Sequence, residues 1–160
     1  MNIKKVFLSA LAVVSAVGVF LSTLSGKPST ENTLPDNSKL QIHFIDVGQG
    51  DSTLITCGGE AMLIDAGEND QGTNVQSYLE EQGIKSLKYM IGTHPDSDHI
   101  GGMDVILYKF DCETVIMPDE AKNTATYRDV IDVMKNKRYT NTLPVVGNSY
   151  TLGDAEFTIL

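Results

Sequence analysis

The sequence predicts a mixed α/β (α+β) domain, and three observations carry that expectation. From about Leu40 onward, short strand-type apolar runs alternate with helix-type runs whose apolar residues recur at i, i+3 and i+4. One such run, Tyr89-Met90-Ile91, empties directly into a loop crowded with His and Asp. A strand that delivers polar side chains at its carboxyl end is the usual site-bearing arrangement of α/β sheets. The loop closes on the pair Gly101-Gly102 and another helix-type run.

The chain opens with Met1-Asn2-Ile3-Lys4-Lys5 and then an apolar stretch over residues 6–21. A basic start followed by a short hydrophobic run predicts, for residues 1–25, a secretory signal peptide or an amino-terminal membrane anchor. Ser9, Ser15 and Gly18 dilute the stretch, which is short for a membrane span. Either reading predicts export, to the extracellular space or to the outer face of the cytoplasmic membrane. Residues 26–39, rich in Ser, Thr, Asn and Pro, read as a flexible linker.

The folded domain is expected over residues 40–160. Leu40, Ile42 and Phe44 alternate with Gln41 and His43, which predicts a half-buried strand with His43 on its water-facing side. Gly48-Gln49-Gly50-Asp51 reads as a turn, residues 52–56 as a second strand and residues 61–64 as a third. Gly58-Gly59 is the hairpin connection between those two. Asp65-Ala66-Gly67 ends the third strand in a polar bend. Residues 73–82 form an amphipathic helix with Val75, Tyr78 and Leu79 inward, stopped by Gly83. Residues 87–91 are a buried strand, 100–109 a helix, 114–117 a strand and 126–137 a helix with Tyr127, Val130, Ile131 and Met134 on one stripe. Strand-like segments return at residues 150–152 and 156–160. The sequence stops inside the last of these, which predicts the amino-terminal portion of a longer protein.

The net charge of −9, with no basic patch, argues against a nucleic-acid binder that relies on a positive groove. It leaves nuclease chemistry open, because bound metal supplies local positive charge. Cys57 and Cys112 lie in no motif; in an exported protein they are a disulfide or two buried thiols.

The chemistry concentrates in Thr93-His94-Pro95-Asp96-Ser97-Asp98-His99-Ile100-Gly101-Gly102. His94, Asp96, Asp98 and His99 stand at i, i+2, i+4 and i+5, and mixed imidazole and carboxylate donors suit zinc, manganese or ferrous iron. A calcium-binding EF-hand does not fit, since the glycine is out of register and Leu107 occupies the position of the bidentate Glu. Ser52 and Ser97 sit in no nucleophile-elbow pattern, which disfavours a serine hydrolase.

These residues resemble the His-x-His-x-Asp-His signature of metallo-β-lactamase-fold hydrolases, with Asp96 in place of the second His. Joined to Asp46-Val47-Gly48-Gln49-Gly50-Asp51-Ser52 and Leu63-Ile64-Asp65-Ala66-Gly67, the loop is similar to the carboxyl-terminal hydrolase domain of the ComEC family of competence DNA-uptake proteins. The resemblance implies an αββα sandwich, of which this sequence spans the amino-terminal half. It implies two divalent metal ions, zinc or manganese, with His94 and Asp96 on one and Asp98 and His99 on the other. Asp98 would also orient the attacking water as the catalytic carboxylate, and Asp65 would support the centre from behind. The implied activity is hydrolysis of a phosphodiester, small or nucleic acid. The alternatives are another ester substrate, or a non-catalytic scaffold of the same fold at the cell surface.

Overall fold

The computed structural model describes residues 39–160, so the signal or anchor segment and all of the linker but Lys39 lie outside the described residues. The described residues belong to one compact unit. Among the described residues no helix is long and apolar enough to cross a membrane.

Among the described residues twelve elements follow in order: β1 (Gln41–Phe44), β2 (Thr53–Cys57), β3 (Glu60–Ile64), α1 (Gly72–Glu81), β4 (Ser86–Ile91), α2 (Ser97–Ile100), α3 (Met103–Lys109), β5 (Asp111–Ile116), α4 (Ala125–Lys137), β6 (Asn141–Thr142), β7 (Ser149–Leu152) and β8 (Ala155–Thr158). The first six strands form one sheet in chain order. β1, β2 and β3 pair antiparallel through short turns, whereas β3, β4, β5 and β6 run parallel. Helices supply the parallel crossovers α1, α2–α3 and α4, as parallel pairing requires. β7 and β8 form a separate antiparallel hairpin.

The sheet has an apolar layer on each face. Leu54, Leu63, Met90 and Val115 pack against Val75, Leu79, Met103, Ile106, Val130 and Met134 of the helices. Cys57, Met62, Tyr89 and Ile116 on the other face pack against Leu152, Tyr150 and Phe157 of the hairpin. Tyr89 meets Phe157 edge-on at 5.3 Å and donates its hydroxyl to Thr151 O at 3.1 Å. Helices, main sheet and a covering β-hairpin are therefore three successive layers.

Two expectations need correction. β1 is an edge strand whose His43 face, not its Leu40/Ile42/Phe44 face, is the inward one. In register, His43 lies opposite Leu54 on the helix side, and its Nδ1 bonds the Tyr78 hydroxyl at 2.9 Å. Ile42 and Phe44 point to the hairpin side, beyond the hairpin's reach, and are exposed. Alternation predicts two faces but not which one finds a partner. The helix expected over residues 100–109 is two helices, because Gly101 and Gly102 stand between α2 and α3. β6 has only two residues, too short for a period-2 signal.

Cys57 and Cys112 are both free and buried. Cys57 belongs to the hairpin-side layer and Cys112 to the helix-side layer, so no bridge joins them. Burial pushes the Cys112 thiol up to about 11. At pH 8 only about one Cys112 in a thousand is then thiolate, the reactive form. Native protein should therefore leave Cys112 unlabelled by iodoacetamide over hours at pH 8, and denaturant should restore rapid labelling. Mass spectrometry of the alkylated peptide reads this directly; fast native labelling would contradict the burial.

Candidate metal centre

Three loops at the same end of the sheet build the site: residues 45–52 before β2, 65–71 after β3 and 92–102 after β4. Backbone hydrogen bonds lace them together. Asp51 N donates to Asp98 O at 3.2 Å, Gly67 N to Asp51 O at 3.0 Å, Ala66 N to His99 O at 2.8 Å and Gly102 N to Gly67 O at 3.1 Å. The Gly pair serves close approach. A Cβ on Gly101 would lie 2.3 Å from Asn69 N, and one on Gly102 would lie 2.4 Å from Ala66 O.

Asp65 is the hub. It is 1% exposed and holds a positive φ of 57°, a left-handed conformation that Asp adopts more readily than most residues. Its Oδ1 accepts from Thr93 N at 2.8 Å. Its Oδ2 accepts from Thr93 Oγ1 at 2.6 Å and faces His99 Nδ1 at 2.9 Å. With Nδ1–H committed to Asp65, His99 presents the lone pair of Nε2 to the outside. This is how a metal-ligating histidine is commonly fixed in tautomer and orientation. Burial acts to lower the His99 pKa, but the hydrogen bond to Asp65 and the charges of Asp65, Asp98 and Asp51 outweigh it, so the net shift is upward.

Of the sequence-predicted ligands, His94, Asp98 and His99 come together, each offering one ligand atom within 4.8 Å of the others. The His94 and His99 rings have centroids 3.8 Å apart. Two imidazoles and a carboxylate converging at a loop surface are a fit donor set for zinc or manganese. Asp96 is turned aside: its Oδ1 is paired with Lys122 on the loop between β5 and α4, and its Oδ2 is 3.6 Å from His94 Nε2. The Lys122 ammonium holds the Asp96 carboxyl below its ordinary pKa, and Asp96 in turn raises Lys122. Ser52 is buried and donates to Asp65 O at 3.2 Å, a structural role.

Sequence reasoning assigned no role to Asp51 or Lys122. Asp51 Oδ2 lies 3.8 Å from His99 Nδ1. Its position in the Gly-rich turn was visible, and only the backbone bond to Asp98 shows where that turn docks. Lys122 carries no local pattern and lies 26 residues beyond Asp96.

Residues 45–158 match the family described as the metallo-beta-lactamase superfamily. Among curated relatives, "Recombination protein 2" of Haemophilus influenzae is 34% identical over 93 residues, covering 55% of this chain and 12% of its own length. The chain thus spans a small part of that relative. Among solved structures, a metallo-beta-lactamase HARLDQ-motif mutant from Cronobacter sakazakii superposes with a TM-score of 0.55 at 17% identity, over 72% of this chain and 48% of its own. The Rm3 metallo-beta-lactamase gives 0.56 at 15%, over 73% and 47%. MEM-A1, a subclass B3 enzyme from a soil metagenome library, gives 0.54 at 17%, over 73% and 48%. These likenesses establish the fold, and the chain spans about half the length of those neighbours.

Proposed function

The chain belongs to the metallo-β-lactamase superfamily, and from that premise we propose that it is an exported, metal-dependent phosphodiesterase whose substrate is DNA or a related phosphodiester. The observation that carries the hydrolase reading is the convergence of His94, Asp98 and His99 with His99 locked by buried Asp65. Likeness to a recombination protein supports a nucleic-acid substrate over a β-lactam. The amino-terminal sequence supports action outside the cytoplasm or on the outer face of the membrane.

In this reading His94, Asp98 and His99, with Asp96 beside them in the same loop, would hold zinc or manganese. Such ions, when bound, lower the pKa of a water and offset charge developing on the attacked phosphorus. Asp65 accepts the Nδ1–H hydrogen bond of His99 and fixes the ring in direction, with Nε2 turned outward. Asp98 accepts a hydrogen bond from the attacking water and aims it. Gly101 and Gly102 keep the ligand loop pressed on the turn after β3, so the donors are set before substrate arrives.

Hydrolysis of bis(4-nitrophenyl) phosphate by the full-length protein, loaded with manganese or zinc, tests this. The expected result is turnover that chelator abolishes and manganese or zinc restores. No phosphodiester turnover with either metal would sink the substrate class, and nitrocefin turnover in its place would redirect it to β-lactams.

A further inference from the structure

Beside the metal centre lies a cleft of about 440 Å³, lined by residues that include Gln49, Asn69, Asp98, Lys122, Thr124 and Thr126. Lys122 is the only basic side chain lining it among the described residues. Gln49, Asn69, Ser97, Thr124 and Thr126 add neutral hydrogen-bonding groups, and the carboxylates of Glu68, Asp96 and Asp98 line it as well. α4, thirteen residues long, starts at its rim, where Thr124 and Thr126 line the cleft, so the positive end of the helix dipole adds to the Lys122 charge. A protein of net charge −9 repels an anionic substrate at long range, so positive charge placed at the reaction centre decides whether that substrate is held.

The Lys122 ammonium is paired with Asp96. Asp96 is also the carboxylate placed two residues from His94 in the ligand loop, and its Oδ2 already approaches His94 Nε2. A carboxylate committed to a metal ion is a weaker partner for an ammonium, because its charge is largely neutralised. The cation at the cleft wall is then available to another anion. We propose that Lys122 is a substrate-positioning residue that takes a non-bridging phosphoryl oxygen of the substrate once Asp96 is committed to metal. This rests on the phosphodiester reading above and names the group that would hold the phosphate.

Inorganic phosphate is the probe. Its binding to the manganese-loaded protein is measured by titration calorimetry, and manganese affinity is measured separately by chelator competition, for wild type, Lys122→Met and Lys122→Arg. Loss of one charge-assisted hydrogen bond should weaken phosphate binding in Lys122→Met about tenfold or more. Manganese should bind this variant as tightly as wild type or more tightly, since its competitor for Asp96 is gone. Lys122→Arg should keep phosphate affinity within about threefold. Phosphate affinity unmoved by Lys122→Met overturns the proposal. So does loss of manganese from that variant, which would make Lys122 an organiser of Asp96 alone. Lys122-dependent phosphate binding in a protein that cleaves no phosphodiester would defeat the functional reading and leave the Lys122 assignment standing.

Discussion

Replacing Asp65 with alanine is expected to weaken binding of zinc or manganese by about 10–100-fold, the usual consequence of removing a carboxylate that orients a ligand histidine. The side chain is buried and accepts three hydrogen bonds, from Thr93 N, Thr93 Oγ1 and His99 Nδ1. Without it, His99 is free to rotate or to present the wrong tautomer, and the Thr93 amide loses its partner. That unpaired amide, together with alanine held at a positive φ, should lower unfolding free energy by about 2–4 kcal/mol. Asp65→Asn keeps the shape and one acceptor, so it should recover most of the stability while metal binding remains impaired. Chelator competition and urea denaturation separate the two effects. Metal affinity within twofold of wild type in Asp65→Ala would remove Asp65 from the centre.

Gly50→Ala should be nearly as damaging, by a different route. Gly50 has φ of 103°, and a Cβ there would lie 1.9 Å from the Asp98 carbonyl oxygen. No side chain fits that gap, so the turn must withdraw, breaking the bond from Asp51 N to Asp98 O, or Asp98 must move. A destabilisation of about 2–3 kcal/mol follows from strain and the lost contact. Metal affinity should drop with it, because Asp98 is one of the three converging ligands. Gly59→Ala is the control: its φ is 82°, yet nothing lies within 4 Å of the added Cβ. It should carry the backbone strain while leaving metal affinity unchanged. Equal loss of metal in both variants would mean that the contact with Asp98 does not matter.

The sheet and its helices were largely legible because their signals are local. Val75 and Leu79, Val130 and Met134 repeat at helical spacing, and Gly58-Gly59 marks the hairpin. His94, Asp98 and His99 were legible for a related reason: six consecutive residues leaving one strand must stay near one another. What lay hidden is tertiary. The outward turn of Ile42 and Phe44 depends on where α1 and the hairpin settle over an edge strand, which the alternation of β1 does not encode. The diversion of Asp96 to Lys122 depends on the loop after β5 folding back over the ligand loop, across 26 residues of chain. Asp65 illustrates the middle ground. Its position at a strand end suggested a turn, and the family resemblance gave it a supporting place, but the His99 bond had to be seen.

The loop after β4 should hold metal, and the metal content of the purified protein tests this most directly. Wild type and the His94→Ala/His99→Ala variant are loaded with zinc or manganese, desalted and analysed by plasma mass spectrometry. The prediction is near-stoichiometric metal in wild type and essentially none in the variant, with both proteins showing the same circular dichroism. Equal metal in the two, or none retained by wild type, would contradict it.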